Sequence, residues 1–164
     1  MGETVCRLHD LVLPIQSRTS VLNLTVGDGD VLLLEGGMGS GKTTLLKVIA
    51  GLIRPARGEV ELFGQGIARL SQRKLLELRE RLGVVLEKDG LIASWNVREN
   101  LLLPLRYRQP GNDSAHESRL RERLEQFGES TELLDQQITQ LTGRQRRRLA
   151  LLRATLLEPE TMIL

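Results

Sequence analysis

Apolar residues recur along this chain with two different periods, and each period predicts a kind of element. "TVCRLHDLVL" and "TSVLNLTV" are short, rich in Val and Leu, and partly alternating, as half-buried strands are. "GDG" at 27–29 is a turn signal, and "DVLLLEG" after it reads as a short, nearly all-apolar buried strand. From Lys42 the spacing changes: Leu45, Leu46, Ile49, Ala50 and Ile53 follow a helical rhythm that Gly51 and Pro55 bring to an end. "GEVELFG" returns to a strand pattern, "SQRKLLELRERL" is a helix opened by Ser71, and "GVVLE" is a second buried strand. Beyond Glu87 the chain turns helical. "WNVRENLLLPLRY" is predicted as a helix up to Pro104, "RQPGNDSAHES" as a polar turn, and "ESRLRERLEQFG" as a helix with Leu120, Leu124 and Phe127 on one face. The final "TMIL" begins a strand.

Composition narrows the function classes. The 164 residues, 40% hydrophobic, suffice for one compact core, and no apolar run approaches the length of a membrane span. "MGETVCRLHD" lacks the basic start and apolar centre of a secretory signal, so the expected place is the cytosol. Cys6 is the only cysteine, which excludes disulfide frameworks and multi-cysteine metal sites and predicts a buried thiol. With 23 basic residues against 21 acidic ones and only 2% aromatics, neither a basic surface nor a stacking platform points to nucleic acid, and no nucleic-acid partner is expected. The local run Arg144, Arg146, Arg147 and Arg148 reads as a solvated helix face.

One stretch carries chemistry. In "LLLEGGMGSGKTTLLKVIAGL", Gly36, Gly41, Lys42 and Thr43 fit the spacing GxxxxGK[ST] between a predicted strand and a predicted helix, which is the phosphate-binding loop. The loop runs Gly36, Gly37, Met38, Gly39, Ser40, Gly41, Lys42, Thr43, Thr44. Small residues let the N–H groups of Met38 to Thr43 turn toward phosphate oxygens, while a side chain at Gly39 or Gly41 would crowd the ligand. Lys42 is expected along the β- and γ-phosphates, Thr43 on Mg²⁺ and Thr44 on the α-phosphate.

The downstream residues decide which kind of phosphate-loop protein this is. "TTLLKVIAGLIRPARGEVELFGQGI" resembles the segment after the phosphate loop in ATP-binding cassette (ABC) proteins, and "LTGRQRRRLALLRATLLEPETMIL" is similar to that family's signature region and the strand that follows it. A small-molecule kinase, the rival at this length, has no such second motif. The resemblance implies an α/β fold with a P-loop NTPase, RecA-like core, an N-terminal antiparallel β element and an inserted α-helical subdomain, incomplete at the C-terminus. On that reading 1–164 is one partial nucleotide-binding domain. Residues 1–87 with 143–164 form the ATP-binding core, and 88–142 form the helical subdomain ending in the signature motif.

The resemblance also implies ATP and Mg²⁺ as ligands and two cassettes meeting head to tail, each nucleotide held by one phosphate loop and, in trans, by Leu141, Thr142, Gly143, Arg144 and Gln145 of the other. Arg144 stands where the family has a second glycine. Glu87 stands at the family's Q-loop glutamine, where a carboxylate beside Thr43 would contact Mg²⁺ or its water. No aromatic residue precedes Phe63 to stack on adenine, and neither His9 nor His116 occupies a family histidine's place. The family's Walker B Asp and Glu would follow Leu164, so the chain is expected to be a fragment whose longer parent is the ATPase, inactive by itself, with an apolar sheet edge prone to association. "GLIASWNVRENLLLPLRYR" resembles the permease-docking segment of cassettes serving lipid-asymmetry maintenance or lipoprotein release, with Trp95 as an anchor or a packing residue. The expected partners are thus a second nucleotide-binding domain and a transmembrane permease holding the protein at the inner face of the membrane. A non-hydrolysing regulatory subunit and a soluble, non-transport cassette are the alternatives.

Overall fold

The computed structural model describes residues 3–15, 20–86 and 89–164. They fall into two compact units, residues 1–80 with Ile163, and 81–162 with Leu164.

The first unit is built on a four-stranded antiparallel sheet in the order β2–β1–β3–β4, with β1 at Thr4–Val12, β2 at Leu22–Gly27, β3 at Arg57–Leu62 and β4 at Gln65–Gly66. Alternation sets its faces: Cys6 and Leu8 of β1 and Val60 and Leu62 of β3 are buried, while Arg7 and His9 between them are exposed. In register, Cys6 faces Leu62 and Leu8 faces Val60. The alternation breaks at Asp10, where φ is +46° and the register of β1 shifts against both neighbours. That is a bulge, and Asn23 stabilises it by accepting from the Asp10 N–H at 2.9 Å and donating to its carboxylate at 3.2 Å. After the bulge Leu11 and Val12 both turn inward. Gly58, at φ +82°, passes so close to the Asp10 carbonyl that no Cβ fits there. Two helices complete the unit, α1 at Lys42–Ile49 and α2 at Gln72–Arg79. Ser71 opens α2 as expected, its hydroxyl accepting from the Lys74 N–H. Arg79 of α2 reaches back to the carbonyls of Ala50 and Gly51, satisfying the C-terminal end of α1.

One expected element is missing. Residues 30–36, "DVLLLEG", do not form a buried strand: Val31 is 98% and Leu33 77% exposed, and the segment joins neither sheet among the described residues. Its apolar sequence suits a strand interior, yet among the described residues no neighbour offers it a ladder, and an unpaired segment is not a strand.

The second unit is helical apart from a two-stranded pairing of β5, Leu82–Val84, with β6, Thr161–Ile163. Its core joins α3 at Val97–Arg108, α4 at Asp113–Gln126 and α5 at Gly143–Thr155. Leu101, Leu102, Leu120, Leu124, Leu134, Leu149, Leu152 and Leu156 make one cluster, each under 2% exposed, with Phe127 packed against it. Residues 143–162 pack within this unit. Helix α3 does not stop at Pro104 but runs four residues further. The proline ring removes one hydrogen bond, at about 3 kcal/mol in a helix interior. Burial of Leu101, Leu102 and Leu105, each worth about 1.5–3 kcal/mol, offsets it, together with the capping box in which Asn96 accepts from the Glu99 N–H and Glu99 accepts from that of Asn96. Helix α4 begins inside the expected turn, bringing His116 into the buried set.

Candidate nucleotide site

The glycine loop lies at the head of α1, in the first unit. Residues 38–39 form a turn, the Ser40 N–H donates to the Gly37 carbonyl at 3.3 Å, and Gly39 and Gly41 take φ of +77° and +94°. Both angles suit glycine and strain any other residue. Around Gly39 no atom of the chain lies within 4 Å of where a Cβ would stand, so within the protein it is the backbone angle that favours glycine there; at Gly41 a Cβ would stand 3.0 Å from Ile15 Cδ1 and 3.2 Å from Leu13 Cδ1. A Cβ at Gly36 would approach Ser40 Oγ to 2.8 Å. The chain's own packing therefore restricts Gly36 and Gly41 independently of any ligand.

Gly41 is also the N-cap of α1, and no side chain caps it. The first helical bond runs from the Leu45 N–H to the Gly41 carbonyl at 2.8 Å, which leaves the N–H groups of Lys42, Thr43 and Thr44 without intrahelical acceptors. No acidic residue occupies the first turn. The ammonium of Lys42 folds over the loop, donating to the carbonyls of Gly36 at 2.5 Å and Gly37 at 2.9 Å and standing 3.4 Å from Ser40 Oγ. Donors and one cation thus converge on one short loop, a combination that suits a phosphate. For Mg²⁺ the described residues offer Thr43, half-buried in the first turn of α1, and among them no group of three or more His, Cys, Asp or Glu gathers to hold a metal by itself. A cation here would take its remaining ligands from phosphate oxygens and water. Glu87, the other expected Mg²⁺ contact, lies outside the described residues.

The second expected segment heads α5 in the second unit. Thr142 is its N-cap: the hydroxyl accepts from the Gln145 N–H at 3.2 Å, and Gln145 Oε1 accepts from the Thr142 N–H at 2.9 Å and from its hydroxyl at 2.8 Å. Thr142 and Gln145 therefore serve the helix as a capping box, a role the signature resemblance did not supply. Gly143 has open space around it, its nearest neighbour being Arg146 Nη2 at 3.9 Å from a built Cβ. Arg144 is exposed.

The rest of the arginine run is exposed at Arg147 and Arg148, as a solvated face should be, and half-buried at Arg146, but each of the three also has a partner. Arg146 pairs with the Asp89 carboxylate at 3.2 Å, Arg147 donates to the Leu86 carbonyl at 2.9 Å, and Arg148 pairs with Glu129 at 2.7 Å while donating to the Phe127 carbonyl at 2.6 Å. Arg153, one helical stretch on, donates to the carbonyls of Gly90 at 3.0 Å and Asp89 at 3.3 Å. Burial lowers its pKa, opposed by the charge of Asp89. Sequence reasoning missed Asp89 and Arg153; a lone Asp two residues past the expected Q-loop position gave no signal without its partners in view.

Elsewhere, Cys6 is buried as expected and desolvation raises its thiol to about 11. Trp95 is half-buried, and its main chain joins the Gln136–Ile138 stretch through the Ile138 N–H. His9 is exposed beside Asp10. No helix among the described residues is long and apolar enough to cross a membrane.

Comparison with known proteins adds the family. The ABC transporter family model matches residues 19–164. The lipoprotein-releasing system ATP-binding protein LolD 1 of Rhodopseudomonas palustris is 34% identical over 143 residues, spanning 87% of this chain and 63% of its own. The intermembrane phospholipid transport system ATP-binding protein MlaF of Haemophilus influenzae is 34% identical, at 87% and 53%, and the methionine import ATP-binding protein MetN 1 of Rhodococcus jostii is 33% identical, at 87% and 41%. The chain thus spans about half the length of these curated relatives. Among solved structures, a dimeric ATP-binding cassette in a post-hydrolysis state bound to ADP and Pi superposes with a TM-score of 0.85 at 25% identity, covering 96% of this chain and 72% of that one.

Proposed function

Because the chain belongs to the ABC transporter family, we propose that it is the ATP-binding part of a transporter ATPase, holding ATP·Mg²⁺ in the loop Gly36–Thr44. One observation carries the reading: an uncapped helix start whose N–H groups, at Lys42 to Thr44, stand beside a lysine ammonium in a loop held open by left-handed Gly39 and Gly41. Lys42 now shares its protons with the Gly36 and Gly37 carbonyls, and exchanging these for the far stronger acceptors of a triphosphate aligns it with the outer phosphates. Thr43 would hold Mg²⁺, which neutralises phosphate charge when bound, and Thr44 would donate to the inner phosphate. In the longer protein, Leu141–Gln145 of a second cassette would close over this nucleotide, ATP would be hydrolysed there, and a permease would hold the pair at the cytoplasmic face of a membrane.

The dimeric solved relative, with ADP and Pi bound, supports this arrangement. Lipid or lipoprotein cargo is supported by the similarity to LolD and MlaF together with the "NV.EN...PL" pattern in α3, although MetN, an import subunit, is as similar. Calorimetry of ATP·Mg²⁺ against the chain and its Lys42→Ala variant tests the site. The expected result is binding that weakens by at least ~100-fold in the variant, about 2.7 kcal/mol. Equal affinity in the two would remove the loop from the reading.

A further inference from the structure

We propose that Arg146 is a positioning residue that ties the segment flanking Asp89 to the turn at Leu141, so that displacement of one is carried to the other. One guanidinium makes both contacts: Nε donates to the Asp89 carboxylate at 3.2 Å and Nη1 to the Leu141 carbonyl at 3.0 Å. Asp89 is itself committed, because its carboxylate also accepts from the Leu91 N–H at 3.1 Å. The functional meaning of the two segments rests on the reading above, while the link between them does not.

Three features single this contact out. First, it works against the helix. Arg144, Arg146, Arg147 and Arg148 all fall in the first two turns of α5, where no acidic residue accompanies them in the first turn. Cations there are disfavoured by the positive end of the helix dipole, and Arg146, Arg147 and Arg148 are each held by particular acceptors. Second, main-chain carbonyls are among those acceptors, Leu141 for Arg146, Leu86 for Arg147 and Phe127 for Arg148, and Arg153 in the last turn adds those of Asp89 and Gly90. Contacts of that kind fix the path of a backbone whatever its side chains are. Third, the members of the run divide their labour. Arg147 holds Leu86 and Arg153 holds Asp89 and Gly90 on α5, and Arg148 holds Phe127 and Glu129, whereas Arg146 alone among them bonds a carbonyl of the 141–145 segment as well as the Asp89 side chain. A planar fork can keep both bonds at once; if Asp89 shifts, the guanidinium must either follow and drag Leu141 or let one partner go.

Amide hydrogen exchange on the full chain tests the link. Asp89→Asn removes the charge that anchors Arg146, and should raise exchange of the 141–146 amides by ~5-fold or more, the lower end of coupling between sites. Asp89→Glu keeps a carboxylate and should restore protection to within about twofold of the parent. In an Arg146→Gln background, Asp89→Asn should have no further effect on those amides, because the wire is already cut. Unchanged exchange at 141–146 in Asp89→Asn overturns the proposal, and so does an equal rise in the Arg146→Gln background. A uniform rise that reaches the Leu120 and Leu124 amides of α4 equally also overturns it, since Asp89 would then support only the unit as a whole. ATP affinity measured on the same samples keeps the two readings apart: absent ATP binding with the link intact sinks the function and not the link.

Discussion

Replacing Gly41 by Ala separates the two reasons for a glycine at the head of α1. The first is backbone: a non-glycine residue at φ +94° sits in the left-handed region at about 1–2 kcal/mol. The second is packing: the new Cβ would stand 3.0 Å from Ile15 Cδ1 and 3.2 Å from Leu13 Cδ1, inside the ~3.5–4.0 Å at which carbon atoms rest. Both neighbours are ends of flexible side chains, so they yield by leaving their rotamer minima, at about 0.5–1.5 kcal/mol. The sum is ~1.5–3.5 kcal/mol. Gly39→Ala provides the control, because φ is +77° but no atom lies within 4 Å, leaving the backbone part alone. Cys6, the sole cysteine and buried in the same unit, supplies the assay: its labelling by a thiol reagent requires the unit to open, so the labelling rate reports stability. Gly41→Ala should speed labelling roughly 10- to 400-fold and in any case more than Gly39→Ala, expected at roughly 5- to 30-fold. ATP affinity should fall by at least ~10-fold in Gly41→Ala, since the carbonyl and N–H groups that shift with it frame the proposed phosphate site. Equal labelling rates in the two variants, with ATP binding unaltered in Gly41→Ala, would refute the reasoning.

Asn100 is fully buried, accepting from the Ile92 N–H at 2.7 Å and donating to the carbonyls of Ile92 at 3.0 Å and Asn96 at 2.9 Å; Asn100→Ala should therefore lower stability by ~2–4 kcal/mol in chemical denaturation, through main-chain groups left unsatisfied. The thiol of Cys6 is pushed up to about 11 in the folded chain, above its unfolded value, so its contribution is complete below the unfolded pKa and is lost as pH rises toward about 11. A Cys6→Ala variant should accordingly show a flatter decline of stability between about pH 9 and 11 than the parent, the difference being on the order of 2–3 kcal/mol. Val31→Lys with Leu33→Lys should weaken self-association in sedimentation by ~10-fold while changing stability by less than about 0.5 kcal/mol, because both side chains are already exposed.

Where local signals were self-sufficient, they were legible. The Ser71 cap, the β1–β2 hairpin pairing Leu8 with Leu24, and the helical face of Leu120 and Leu124 all follow from residues near one another in the chain. The glycine loop was legible for the same reason, since spacing alone brings Lys42 over Gly36 and Gly37. Pro104 misled because a local rule, that proline ends helices, was outweighed by the burial of Leu105 after it.

The missing strand and the unforeseen partners of the arginine run share a different physical origin. A strand exists only through its neighbours, so the apolar run at 31–34 states a capacity for pairing that nothing in its own residues can realise. An arginine run likewise states a supply of donors, and whether these face water or hold structure depends on acceptors elsewhere in the chain, here Leu86, Asp89, Gly90, Phe127 and Glu129. Buried charge is expensive unless it is paired. A guanidinium such as that of Arg153, whose pKa burial depresses, is therefore accounted for only once its carbonyl partners are in view. Charge count could not separate a solvated helix face from a clamp. What reveals the clamp is its partners, several of them main-chain oxygens that sequence composition never reports and that tie α5 to Leu86, Asp89 and Gly90.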